Sequence, residues 1–365
     1  MIDIAKALAM ISIIVAHSKI IYVQNIMYMY MVPAFFFFAG YVFNYSDKTV
    51  DGSYCLTYAR KKIAANWAPF VEYSALFILL HNVFLRIGIY TADPSFATLT
   101  AENEAASLWG GRVQELHTFR DGIGRLLRAA TFDITEEFTR PLWFLPALFT
   151  ANIAIVCVFF LSEKTKKRIL EPLAVGVLFT VGYLTHLPRY ISSGLVGVIF
   201  VYAGYLFRKN QKKIPYKLWL FIVSGGIVLY LSRRSTLGMI SNVYTSPVTL
   251  LLSSACGLYC ILCAAKWIEK NSAFLSKHLA FYGRNTLIAL AFHLLFFKCV
   301  TVIQIVAYAS DWIYLACYPV FHAQLPWPIL YSVVGVAGTY LMALMDERVL
   351  KKGRDRIRNI LFRRG

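Results

Sequence analysis

Apolar stretches of about 20 residues recur ten times along this 365-residue chain, and nothing else in it constrains the fold as strongly. A helix of about 20 residues rises about 30 Å, the thickness of a bilayer's hydrocarbon core. Inside that core every backbone N–H and C=O must be satisfied within the chain, which makes such stretches helical. They run Ile4–Val23, Ile26–Asn44, Asn66–Gly88, Leu142–Leu161, Leu170–Leu187, Tyr190–Phe207, Lys217–Ser232, Val243–Ile268, Asn285–Tyr308 and Trp327–Asp346. The expectation is an all-α polytopic membrane protein with about ten transmembrane helices, one membrane-embedded domain over 1–365. Composition agrees: 58% of residues are hydrophobic and only 15% charged, too few charges to cover a soluble surface of this size. The first stretch has no small-residue cleavage site after it and contains His17, so it reads as a retained span rather than a signal peptide.

The formal net charge of +18 would suit a nucleic-acid partner if it formed one patch. Instead the basic residues sit in short clusters between apolar stretches. Most fall in alternate gaps, on the side of Lys6, which places both termini in the cytoplasm, with 347–365 as a basic cytoplasmic tail. No nucleic-acid partner is expected. The long segment 89–141 falls on the outer side and mixes five arginines with eight acids. Within it Asp121–Ala130 has the pattern of a short amphipathic helix lying on the outer surface. A structured cap or lid and a solvated connector both fit this segment.

Seven cysteines make no disulfide framework. Cys256, Cys260 and Cys263 mimic the spacing of iron–sulfur ligands, but on an apolar helix they form a stripe of small residues, as buried thiols do. No metal site and no permanently bound cofactor is expected.

Ionisable groups inside a span are costly and mark candidate sites. Asp3, Lys6 and His17 are the strongest set. Eleven residues turn a helix to within about 20° of its starting direction, so Lys6 and His17 share a face, with His17 about 16 Å further along. A single satisfied histidine below ordinary entrance charges is the plainer alternative; the alignment favours a polar track.

These residues resemble a known signature. Lys6, ten residues and His17 are similar to the N-terminal basic-x10-His pattern of the acyltransferase-three family, bacterial integral-membrane O-acyltransferases, here closest to its fucose 4-O-acetylase-like branch. Three further segments match in order. Pro33 with Phe35-Phe36-Phe37-Phe38-Ala39-Gly40 resembles the second-helix motif. Trp143-Phe144-Leu145 resembles the entry to the fourth helix, and Gly283-Arg284-Asn285-Thr286 with His293 resembles the C-terminal motif. The resemblance implies transfer of an acyl group, usually acetyl, from a cytoplasmic coenzyme A thioester (acetyl-CoA or another acyl-CoA). The acceptor it implies is a hydroxyl of a cell-surface saccharide or its lipid-linked precursor, and the setting it implies is a bacterial inner membrane.

The resemblance makes His17 the catalytic histidine, a neutral imidazole able to take the acceptor's proton. Asp3 holds Lys6, three residues on. Lys6 and the run Arg60-Lys61-Lys62 are suited to the phosphates of acyl-CoA, although the family's arginine pair before the third helix is replaced here. His293, Asn285, Thr286 and Trp143 are candidates for the acceptor or acyl pocket. Glu72 and His81, with Asn82 and Arg86, either serve the same cavity or tie helices together. The competing function is a transporter or flippase for a lipid-linked glycan, against which stands the absence of paired halves in the sequence.

Overall fold

The computed structural model describes residues 1–43, 50–102 and 112–350. Its helices are α1 (Ile2–His17), α2 (Val23–Tyr28), α3 (Met31–Tyr41), α4 (Gly52–Lys62), α5 (Ala68–Arg86), α6 (Ser95–Glu102), α7 (Phe119–Ala130) and α8 (Phe144–Thr165). They continue with α9 (Leu170–Leu184), α10 (Ile191–Asn210), α11 (Leu218–Ser232), α12 (Pro247–Asn271), α13 (Ala273–Arg284), α14 (Thr286–Tyr308) and α15 (Trp327–Met345). A two-residue antiparallel pairing of Leu237–Gly238 with Val243–Tyr244 is the only sheet among the described residues. The protein is thus an all-α polytopic membrane protein. Each of the ten apolar stretches carries helix. Among the described residues, seven helical runs are long and apolar enough to cross a membrane, while α9 and α11 are apolar but shorter. The tail beyond 350 lies outside the described residues.

The third predicted span begins earlier than its apolar content suggests. α4, a π-helical turn at Ile63–Trp67 and α5 form one helical run over Gly52–Arg86. Pro69 lacks an N–H for the helix ladder, and the wide π turn directly before it takes up the mismatch without ending the run.

α1 is the axis of the bundle. It packs against α2, α3, α12, α13, α14 and α15, and its alanines at 5, 7, 9 and 16 are fully buried. Small side chains let helices approach closely where lipid supplies no hydrophobic drive for association. One aromatic-rich core joins α1 to α5, α14 and α15 through Phe70, Phe77, Phe138, Phe292 and Phe297. A second joins α3, α8 and α10 through Phe36, Phe43, Phe159 and Val201. The second-helix motif fixes the α3–α10 crossing: a Cβ on Gly40 would lie 1.8 Å from the Val201 carbonyl oxygen.

The segment 112–136 contains the short helix expected at Asp121–Ala130. α7 begins as predicted, with a capping box in which Thr118 and Asp121 satisfy each other's ends. It then runs lengthwise beside α5. At one end Asn82 Nδ2 donates to the His117 carbonyl and Asn82 Oδ1 accepts from the His117 N–H, both at 2.8 Å. At the other, Trp67 Nε1 donates to the Ala130 carbonyl at 2.8 Å. Asn82 and Trp67 are fifteen residues apart, about 22 Å of helix rise. α7 therefore accompanies α5 along most of its own length. Residues 112–136 are thus folded against α5.

Candidate active site

His17 is the last residue of α1. Ser18 directly after it donates to the Val15 carbonyl and accepts from Ser332 Oγ of α15, each at 2.8 Å, so the end of α1 is pinned on both sides. His17 Nδ1 lies 2.8 Å from His293 Nε2 of α14, with the two rings within 8° of parallel. His293 is fully buried, and its Nδ1 lies 2.9 Å from the Ala289 carbonyl oxygen, four residues back on the same helix.

These contacts determine the tautomers of a neutral pair. A carbonyl oxygen only accepts, so His293 carries its proton on Nδ1 and presents a lone pair at Nε2. His17 must then donate from Nδ1, which leaves the lone pair of His17 on Nε2. Ile14, Ala16 and Ser18 around it are buried, whereas His17 is only partly so and His293 is fully buried. The free nitrogen thus belongs to the less buried residue of the pair.

The C-terminal motif explains how α14 delivers His293. A Cβ on Gly283 would lie 1.7 Å from the Asp3 carbonyl oxygen, so only glycine lets α13 rest on the start of α1. Asn285 donates to the Phe281 carbonyl at 2.9 Å and forms the joint between α13 and α14. Thr286 opens α14. The Asn285 side chain thus shapes this joint. Gly283→Ala forces the backbones apart. The expected result is a loss of about 1–3 kcal/mol, read as a lower unfolding temperature, with activity falling together with it.

At the N-terminal end of the bundle a pocket of about 770 Å³ is lined by Asp3, Lys6, Tyr41, Gln211, Glu269 and Lys277 among others. Asp3 Oδ1 accepts from Lys6 Nζ at 3.2 Å, and Arg284 Nη1 lies 3.7 Å from Asp3 Oδ2. This mouth collects cations on a half-exposed carboxylate. His17 is not among its lining residues. On the shared face between Lys6 and His17 stand Met10 and Ile13, both buried and apolar. The continuous polar track expected from the sequence is therefore interrupted at its middle.

A family model described as an acyltransferase domain, Acyl_transf_3, matches residues 1–345. The chain belongs to the acyltransferase-three family. It is a multi-pass membrane acyltransferase. No curated protein and no solved structure matches it.

The remaining candidates of the acyltransferase lie elsewhere. Arg60, Lys61 and Lys62 are on α4, outside the lining of the Lys6 pocket, and the Lys62 ammonium sits 5.0 Å over the Tyr58 ring. Trp143 packs on Tyr190 and Phe144 in the second core, at the turn that starts α8. Glu72 is exposed while His81 is fully buried. Nine residues turn a helix through about 180°, so the two were never on one face. His81 instead meets Glu136 and His117 of the 112–136 segment. There burial first, then His81 and Arg125, push the His117 imidazole down to about 4, so it is neutral near pH 7.

Proposed function

We propose that this acyltransferase moves an acyl group, acetyl foremost, from a coenzyme A thioester to a hydroxyl of a cell-surface saccharide or its lipid-linked precursor, in a bacterial cytoplasmic membrane. The reading rests on one observation above all, the His17–His293 pair with its lone pair at His17 Nε2. In this mechanism the acceptor hydroxyl gives its proton to His17 Nε2 while its oxygen attacks the thioester carbonyl. The carbon–sulfur bond breaks, and the departing coenzyme A sulfur takes the proton from the imidazolium. His293 holds the His17 Nδ1 proton throughout, so the ring returns in the same tautomer.

The donor enters by the Lys6 pocket, which the distribution of Lys and Arg assigns to the cytoplasmic side. Lys6 and Lys277, which line the pocket, meet the donor's phosphates. The pantetheine arm then passes Met10, whose unbranched side chain turns aside more readily than a β-branched one.

Lys6→Ala is expected to raise the KM for acetyl-CoA about tenfold, the weight of one charge-assisted contact, with kcat nearly unchanged. Acetyl-CoA at millimolar concentration should raise the unfolding temperature of the purified protein, less so in that variant. No shift with acetyl-CoA, together with saccharide counterflow in vesicles, would instead mark a transporter.

A further inference from the structure

A second cluster of ionisable side chains is built where the 112–136 segment meets α5. His81 Nδ1 lies 2.8 Å from Glu136 Oε2, and His81 Nε2 donates to the Glu115 carbonyl at 2.9 Å. The His117 ring stacks on His81 with centroids 3.3 Å apart and its side chain only 7% exposed. His117 Nδ1 is 3.9 Å from Glu136 Oε1, which is also 3.5 Å from Arg125 Nη1. Both nitrogens of His117 and the Oε1 of Glu136 are buried without a hydrogen-bond partner. Three such atoms in one place are unusual, because buried polar groups are nearly always satisfied.

We propose that His81, His117 and Glu136 bind a divalent transition-metal ion, zinc foremost, which pins the 112–136 segment to α5. One ligand atom from each lies within 4.8 Å of the other two. Two imidazoles and a carboxylate form a set that suits zinc, and the ion gives one His117 nitrogen and the Glu136 carboxylate the partner that no hydrogen bond supplies. The bond from His81 Nε2–H to the Glu115 carbonyl is the outer contact that ligating histidines make, and it leaves Nδ1 for the ion. Ligand atoms around a tetrahedral zinc are separated by roughly 3.3 Å, and stacked rings do not aim at a common point. His117 therefore swings out of the stack as the ion enters, its backbone staying in the grip of Asn82. The proton shared by His81 Nδ1 and Glu136 leaves to solvent on binding. Arg125, anchored at 2.8 Å on the Thr135 carbonyl, balances the carboxylate in the metal-free form. The ligands come from positions 81, 117 and 136, too scattered in sequence to form a motif.

The test uses tag-free full-length protein in detergent, stripped with a chelator and titrated calorimetrically with zinc. The expected result is one ion per chain, a rise in unfolding temperature, and a tetrahedral d–d spectrum when cobalt replaces zinc. His117→Ala removes no hydrogen bond from its ring, so the metal-free variant should unfold near the wild-type temperature. Its zinc affinity should fall by more than the roughly tenfold to hundredfold that loss of an outer partner costs. Its thermal response to zinc should vanish. Equal binding by wild type and His117→Ala, or no binding by wild type at micromolar zinc, overturns the proposal.

Discussion

His17→Ala should lower acyl transfer by about 10²- to 10⁴-fold, the contribution of a well-placed general base. The loss should appear in kcat. The KM for the acyl donor should hold, because the Lys6 pocket proposed for the donor is not lined by His17. Folding should survive: α1 remains clamped at Ser18 and buried along Ile4 to Ala16. Assays of detergent-purified wild type and variant, matched for unfolding temperature, check this. A variant that turns over at the wild-type rate removes His17 from the mechanism.

The second large effect lies at His293. His293→Leu keeps the volume of the site but removes the acceptor for the His17 Nδ1 proton. His17 then populates both tautomers, and only one has its lone pair where the base is needed. A fall in kcat of about 10²-fold is expected, smaller than the roughly 10⁴-fold cost of enforcing the wrong tautomer in a serine-protease triad. His293→Gln offers an amide oxygen at a similar reach and should recover part of that loss. A purely structural role predicts the opposite order, with the isosteric apolar residue better tolerated than the buried amide.

How much of this was legible in the sequence follows from the range of each interaction. The helices were legible because apolar length is a local property, and the Asp3–Lys6 pair because three residues bring two side chains together on any helix. His17 and His293 each stood out as histidines in apolar surroundings. Their contact spans 276 positions, and no local period reports it. The same holds for His81 and Glu136, 55 positions apart. The His81 and Asn82 side chains both tie α5 to the 112–136 segment, one of the two roles the sequence leaves open to them. The helical period already sets Glu72 on the opposite face from His81. α7 shows the reverse case. Its amphipathic pattern was visible, yet the pattern does not say which neighbour the helix follows, and Asn82 and Trp67 decide that through backbone atoms.

Nitrogen-15 NMR of histidine-labelled protein, with His17 assigned by comparison with His17→Ala, reads the tautomers of the pair. The expected result is a neutral His17 with a protonated, pyrrole-type Nδ1 coupled to His293 and a bare, pyridine-type Nε2. A resting His17 protonated on Nε2, or showing no coupling to His293, would contradict it.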